Sequence, residues 1–223
     1  MNYRIDTAPI SDALSENTEC PFCAIRGMVE ERLLDQFTGE AVMEDSARDR
    51  VNRAGFCPAH FHALHALPNK LGIALQSSTR LRELSKAVVP VKNVRAAKKQ
   101  ADSLSENLCG CVICGIADTH MERYAQSFAQ MFVRESDFAD RVKASKGFCV
   151  SHYALLLRHA GYAGSSSDKY LALIYGVMKD NLDRMQSEID FFCDKFDYRN
   201  ADKPWNGRED APARTILKIR KNK

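Results

Sequence analysis

Apolar residues recur at helical spacing along most of this chain. Ile25, Met28, Val29, Leu33 and Phe37 line one face of a helix expected from Pro21 to Phe37. Thr38-Gly39 interrupts it, and a charged helix follows from Glu40 to Arg53, ended by Gly55. A third helix starts at Cys57 or Pro58 with Phe61, Leu64 and Leu67, and Pro68-Asn69 breaks it. Leu71, Leu75, Leu81, Leu84 and Val88 give the next helix, Lys70 to Val88, one apolar face that is expected to point inward. The same order then returns: a long helix from Ile113 to Glu135, a short charged one within Ser136 to Lys146, and another from Val150 to Ala160. A Gly/Ser-rich loop, Gly161 to Ser167, precedes a last helix from Asp168 to Lys195. Leu171, Ile174, Val177, Met178, Leu182, Met185 and Ile189 are its core positions. Residues 1–19 and the tail from Asp197 to Lys223 read as irregular. The fold class expected is all-α, with the helices packed as a bundle.

This recurrence is a tandem duplication. A shift of 91 residues places Cys20 on Cys111, Cys23 on Cys114, Phe37 on Phe128, Glu44 on Glu135 and Asp49-Arg50-Val51 on Asp140-Arg141-Val142. One inserted residue raises the shift to 92, and Gly55-Phe56-Cys57 then falls on Gly147-Phe148-Cys149 and His60 on His152. The boundaries expected are a module over residues 1–88, a basic linker over 89–108, a second module over 109–196 and a tail over 197–223.

The matched cysteines and histidines carry the chemistry. A structural zinc ion takes four ligands in a tetrahedron from thiolate and imidazole, and a C-x-x-C or C-x-x-H pair lets two donors from one turn reach one ion. Each half of the chain offers one of each, so the metal ligands expected are Cys20, Cys23, Cys57 and His60 on one ion and Cys111, Cys114, Cys149 and His152 on the other. Pro21 and Pro58 suit the first position of a helix. Cys23 and His60 would then lie in first turns, where free N–H groups and the helix dipole favour thiolate. The expected cofactor is zinc, two per chain. Histidine can replace cysteine at an iron–sulfur cluster, so that cofactor is the alternative. The matched charged residues, Glu31-Arg32 and Glu44 among them, read as helix-to-helix ion pairs or as groups that orient the ligands. His62 and His65 fall outside the repeat and are left out of the site. Cys109 and Cys193 also fall outside it; Cys109 sits two residues before a ligand, and Cys193 reads as a buried apolar residue.

Composition narrows the function classes. The 223 residues are 45% hydrophobic and 27% charged, ordinary values for a globular protein. A net charge of +3 does not by itself imply nucleic acid, although Arg95, Lys98 and Lys99 make the linker basic. No apolar run approaches a membrane span, and the first residues lack an apolar signal segment. The cytoplasm is therefore the expected compartment, where paired cysteines favour metal over disulfide. Four protein ligands leave no open position for water or substrate, which argues against hydrolytic zinc catalysis. The reading is a zinc-tied helical interaction protein with a protein partner. A thiol redox or redox-switched zinc protein is the alternative, because C-x-x-C at a helix start lowers thiol pKa.

These motifs resemble a family of bacterial proteins of unassigned activity over nearly the whole chain. They are Ile5-Asp6-Thr7, C-P-x-C at Cys20, G-F-C-x-x-H at Gly55, C-x-x-C at Cys111, G-F-C-x-x-H-Y ending at Tyr153, and D-Y-R-x-A-D-x-P-W from Asp197 to Trp205. Some relatives carry a transporter substrate-binding label, which a chain without an export signal does not support. The resemblance implies a bacterial origin, and that both ligand sets and the tail act together.

Overall fold

A computed structural model of the full chain describes residues 3–200 and 202–220, and side chains from residue 7 onward. Ala201 and Lys221-Asn222-Lys223, in the tail expected to be irregular, lie outside the described residues. The protein is all-α: eleven α-helices and three short 3-10 segments, with no strand among the described residues. The chain forms two compact units, one of Met1–Gly27 with His120–Lys223 and one of Met28–Thr119. They do not follow the boundaries expected at 88 and 109. Each unit is divided from the other inside a long helix, after Gly27 in α2 (Pro21–Thr38) and after Thr119 in α7 (Val112–Arg134).

The first unit is built on an aromatic cluster. Phe22, which fills the C-P-x-C motif, meets Phe128 edge-on at 5.4 Å and Phe148 at 6.2 Å, and Phe128 meets Phe138 at 4.8 Å. All four rings are fully buried, and such pairs stabilise beyond their apolar area by about 0.5–1.5 kcal/mol each. Helix α8 (Phe138–Ala144) packs on α10 (Ser167–Asp194), whose Ile174, Val177, Met178 and Met185 are buried as their spacing implied. The segment Gly161 to Ser167 is a 3-10 turn and the start of α10 rather than an open loop.

Both chain ends in this unit are more ordered than the sequence suggested. Tyr3–Ser15 is a helix, α1, with Pro9 inside it, and it packs on α8. Proline costs one helical hydrogen bond, but Ile10, Ala13 and Leu14 bury a stripe that offsets the loss. In the tail, Ala211–Ile219 forms α11 with a proline in its first turn, packed on α9 (Val150–Arg158) and α10. Trp205 lies between Phe191 and Phe192 with the Lys195 ammonium 5.1 Å above its ring.

In the second unit, α3 (Asp45–Ala54) packs on α5 (Lys70–Ala87) and α6 (Val94–Leu108), α4 (Pro58–Ala66) packs on α5, and the buried Phe37 and Phe56 rings meet at 5.8 Å. Most of the expected linker is thus helix α6, and it buries no residue fully. Helix α5 faces the opposite way from its apolar stripe. Gly72 lies so close to Thr38 that a Cβ there would stand 2.1 Å from the Thr38 carbonyl oxygen. Asn69 fixes this approach, accepting from the Gly72 N–H at 3.0 Å and donating to the Thr38 carbonyl at 2.6 Å. The contact turns Gly72, Ile73, Gln76 and Arg80 inward and leaves Leu71 and Leu81 each 68% exposed.

Candidate metal centres

Eight cysteine and histidine side chains form two groups of four, one in each unit. All eight are the residues expected from the sequence, but their partners differ. Cys20 and Cys23 meet Cys149 and His152, and Cys57 and His60 meet Cys111 and Cys114. Each C-x-x-C is completed by the C-x-x-H of the other repeat, which corrects the grouping of Cys20 and Cys23 with Cys57 and His60. The two C-x-x-H pairs are chemically interchangeable, so spacing along the chain could not choose between them. Packing makes the choice. Phe22 buries itself against Phe148 and so carries Cys20 and Cys23 to Cys149. In the other unit the Val112 N–H donates to the Gly55 carbonyl at 2.9 Å, setting Cys111 beside Cys57.

Local backbone chemistry aims the donors. Cys57 and Cys149 are the N-caps of α4 and α9, so His60 and His152 fall in first turns. Gly55 and Gly147 precede them with φ of +64° and +72°. Gly55 also has ψ of −158°, a region open essentially to glycine alone. The next residue, Phe56 or Phe148, is buried and anchors the turn to the core. In the two C-x-x-C pairs the residue before the second cysteine is fully buried, Phe22 in one and Ile113 in the other.

The donor atoms describe two tetrahedra. In the first unit Nδ1 of His152 stands 3.4 Å from the sulfurs of Cys20 and Cys23 and 3.2 Å from that of Cys149. The Cys23 and Cys149 sulfurs are 3.7 Å apart. In the second unit Nδ1 of His60 stands 3.2 Å from the sulfurs of Cys57 and Cys111 and 3.4 Å from that of Cys114, and the Cys57 and Cys114 sulfurs are 3.9 Å apart. Bonds of about 2.3 Å to sulfur and about 2.0–2.1 Å to nitrogen make tetrahedral edges of about 3.8 Å between sulfurs and about 3.5 Å from sulfur to nitrogen. The residues therefore fit a single four-coordinate cation in each unit. Such an ion would tie together two segments distant in sequence.

Charge inside each group is already separated. Hydrogen bonding to Cys111, then the carboxylate of Glu30 nearby, pushes the His60 imidazole up to about 10. Burial pushes the Cys111 thiol up, but His60 and the backbone N–H groups of Cys114 and Cys57 outweigh it and hold it at about 6. In the first unit Cys20 and Cys23 hold the Cys149 thiol far below the usual range. Burial pulls His152 down, yet Cys149 and Cys23 carry it up to about 9. The shifts favour thiolate at Cys111 and Cys149 and the protonated form of both imidazoles, and a divalent cation would bind by displacing the remaining thiol and imidazole protons.

Three supporting residues carried no signal in the repeat. Glu30, one place before the matched Glu31, puts Oε1 3.9 Å from Nε2 of His60 and orients the ring from behind. Arg80, 6% exposed, donates to the Asn52 and Asn107 carbonyls, which lie just upstream of the two ligand pairs of its unit. Lys218, 1% exposed, donates to the Glu19 and Lys146 carbonyls, which flank the two ligand pairs of the other. A buried cation from a separate helix therefore clamps each pair of ligand segments. Around Lys218 the clamp grows into a buried network: Glu19 also meets Arg184 at 2.6 Å and Arg214 at 3.4 Å. Burial pushes the Glu19 carboxyl up, but Arg184 and Lys218 more than offset it and hold it below the usual carboxylate range.

Of the matched charges, Glu135 and Arg141 form an ion pair and Glu122 pairs with His159. Cys109 and Cys193 are both exposed, which corrects the expectation that Cys193 is buried. Among the described residues, no helix is long and apolar enough to cross a membrane.

No solved structure matches this chain. It is 22% identical over 182 residues, 81% of this chain and 84% of the relative, to an uncharacterized 23.9 kDa protein in the xynA 3′ region of Caldicellulosiruptor sp. (strain Rt8B.4). A model of a family of unknown function, DUF6062, matches residues 1–223, and the chain belongs to that family.

Proposed function

We propose that this protein is a zinc-tied helical interaction protein with one structural zinc in each unit. The observation that carries the reading is the pair of closed Cys3His shells whose edges fit a single tetrahedral ion. The close approach of the donors favours one ion over an iron–sulfur cluster, whose several irons need thiolates spread more widely. Four protein ligands in each shell suit a structural rather than a hydrolytic role. The outward face of α5 supports binding to a protein partner: Leu71, Leu75 and Leu81 are exposed on one helix, and Val88 just beyond it is 64% exposed. Nucleic acid is the weaker partner, since the net charge is only +3. The cytoplasm remains the compartment that suits reduced, metal-bound cysteines.

Elemental analysis with an absorption spectrum on anaerobically purified protein tests this reading. About two zinc per chain without visible colour is the expected result for two such shells. Iron with sulfide and a brown colour would replace zinc with the cluster, and protein free of metal would overturn the reading.

A further inference from the structure

We propose that the two metal centres divide their labour, and that the one in Met28–Thr119 is a site of thiol modification by small hydroperoxides, while the other, with a single half-buried sulfur, reacts far more slowly. The inference rests on the zinc reading above. Its basis is the difference in access to two otherwise matched sets of donors. In the first unit Cys20 is 2% exposed, Cys149 0% and His152 3%, leaving only Cys23 half-buried. In the second unit all three sulfurs, Cys57, Cys111 and Cys114, are half-buried, and only the imidazole of His60 is covered. The aromatic cover follows the same division: Phe22 lies 5.7 Å from the His152 ring and is itself packed beneath Phe128 and Phe148. The corresponding position in the other C-x-x-C is the smaller Ile113.

Thiolate reactivity needs a thiolate and a path to it. Zinc supplies the thiolate in both centres, so access decides which reacts. A sulfur of the second centre attacks the terminal oxygen of the hydroperoxide. The O–O bond breaks, the alkoxide leaves and takes up a proton, and the cysteine becomes a sulfenic acid. A second sulfur of the same shell then attacks the sulfenic sulfur, forming a disulfide and expelling hydroxide, which is protonated to water. Two thiolates lose two electrons, and the peroxide gains them. The Cys57 and Cys114 sulfurs, 3.9 Å apart, need to close to about 2.05 Å. The shell is left with one thiolate and one imidazole, and it releases its ion.

The test uses the full zinc-loaded protein, treated with hydrogen peroxide in the presence of a chromogenic zinc chelator. The expected result is rapid release of one of two zinc ions, with a disulfide between two of Cys57, Cys111 and Cys114 by peptide mapping. The second ion should leave at least about tenfold more slowly. The Cys109→Ser variant should release zinc at the same rate, since the exposed Cys109 donates its thiol to the Ser105 carbonyl and lies outside the shell. Release of both ions at one rate, first oxidation at Cys20, Cys23 or Cys149, or dependence on Cys109 would overturn this inference and leave the zinc reading intact. Protein that carries no zinc before treatment overturns both.

Discussion

Cys23→Ser and Cys149→Ser, although 126 residues apart, are expected to lose the same metal ion. The double variant should lose no more metal and little more stability than either single one. Cys23→Ser combined with Cys57→Ser should instead lose both ions, with effects that add, because distant independent sites are additive and shared sites are not. The effects are large. Apparent zinc-binding free energies of about 10–16 kcal/mol act as folding free energy, whereas a whole domain is stable by about 5–15 kcal/mol. A shell that no longer holds its ion therefore unfolds most of its unit. Metal content by elemental analysis and urea denaturation with excess zinc give the comparison. Additivity between Cys23→Ser and Cys149→Ser would show that they serve different ions.

Lys218→Met should weaken the first centre without altering the second, and Arg80→Met should do the reverse. Each cation is buried and donates to two carbonyls that flank the ligand segments. Breaking the buried Lys218–Glu19 pair typically costs about 3–5 kcal/mol, and each carbonyl left unpaired by the loss of Arg80 costs about 1–3 kcal/mol. The Lys218 substitution also leaves Glu19, 5% exposed in its side chain, with one fewer neutralising charge 3.2 Å away. Urea midpoints should fall in both variants. The distinguishing readout is the rate at which a strong chelator removes each ion: Lys218→Met speeds loss from Cys20, Cys23, Cys149 and His152, and Arg80→Met from the other shell. Equal acceleration at both shells would mean that the cations stabilise the protein generally and do not clamp the sites.

The all-α class, the main helices of both repeats and all eight donors were legible from spacing, because helical periodicity and the C-x-x-C and C-x-x-H patterns are local properties. What was not legible depends on contacts between distant segments. The partition of the donors turns on where Phe22 and Val112 pack, and two equivalent C-x-x-H pairs give no local hint of it. The rotation of α5 is set by one close contact between Gly72 and Thr38, which outweighs an apolar stripe that would ordinarily face inward. Helix α1 was hidden by Pro9 and by short polar residues, its buried apolar residues among the described side chains being Ile10, Ala13 and Leu14. Lys218 stands in a tail that reads as irregular, and only the packing of α11 reveals that it is buried.

The crossed pairing of the repeats is tested most directly by loading the protein with NMR-active cadmium and recording proton–cadmium correlations. Each cadmium couples only to the cysteine and histidine protons of its own ligands. One cadmium resonance should correlate with Cys20, Cys23, Cys149 and His152, and the other with Cys57, His60, Cys111 and Cys114. A resonance shared by Cys20, Cys23, Cys57 and His60 would contradict the crossed arrangement and restore two self-contained repeats.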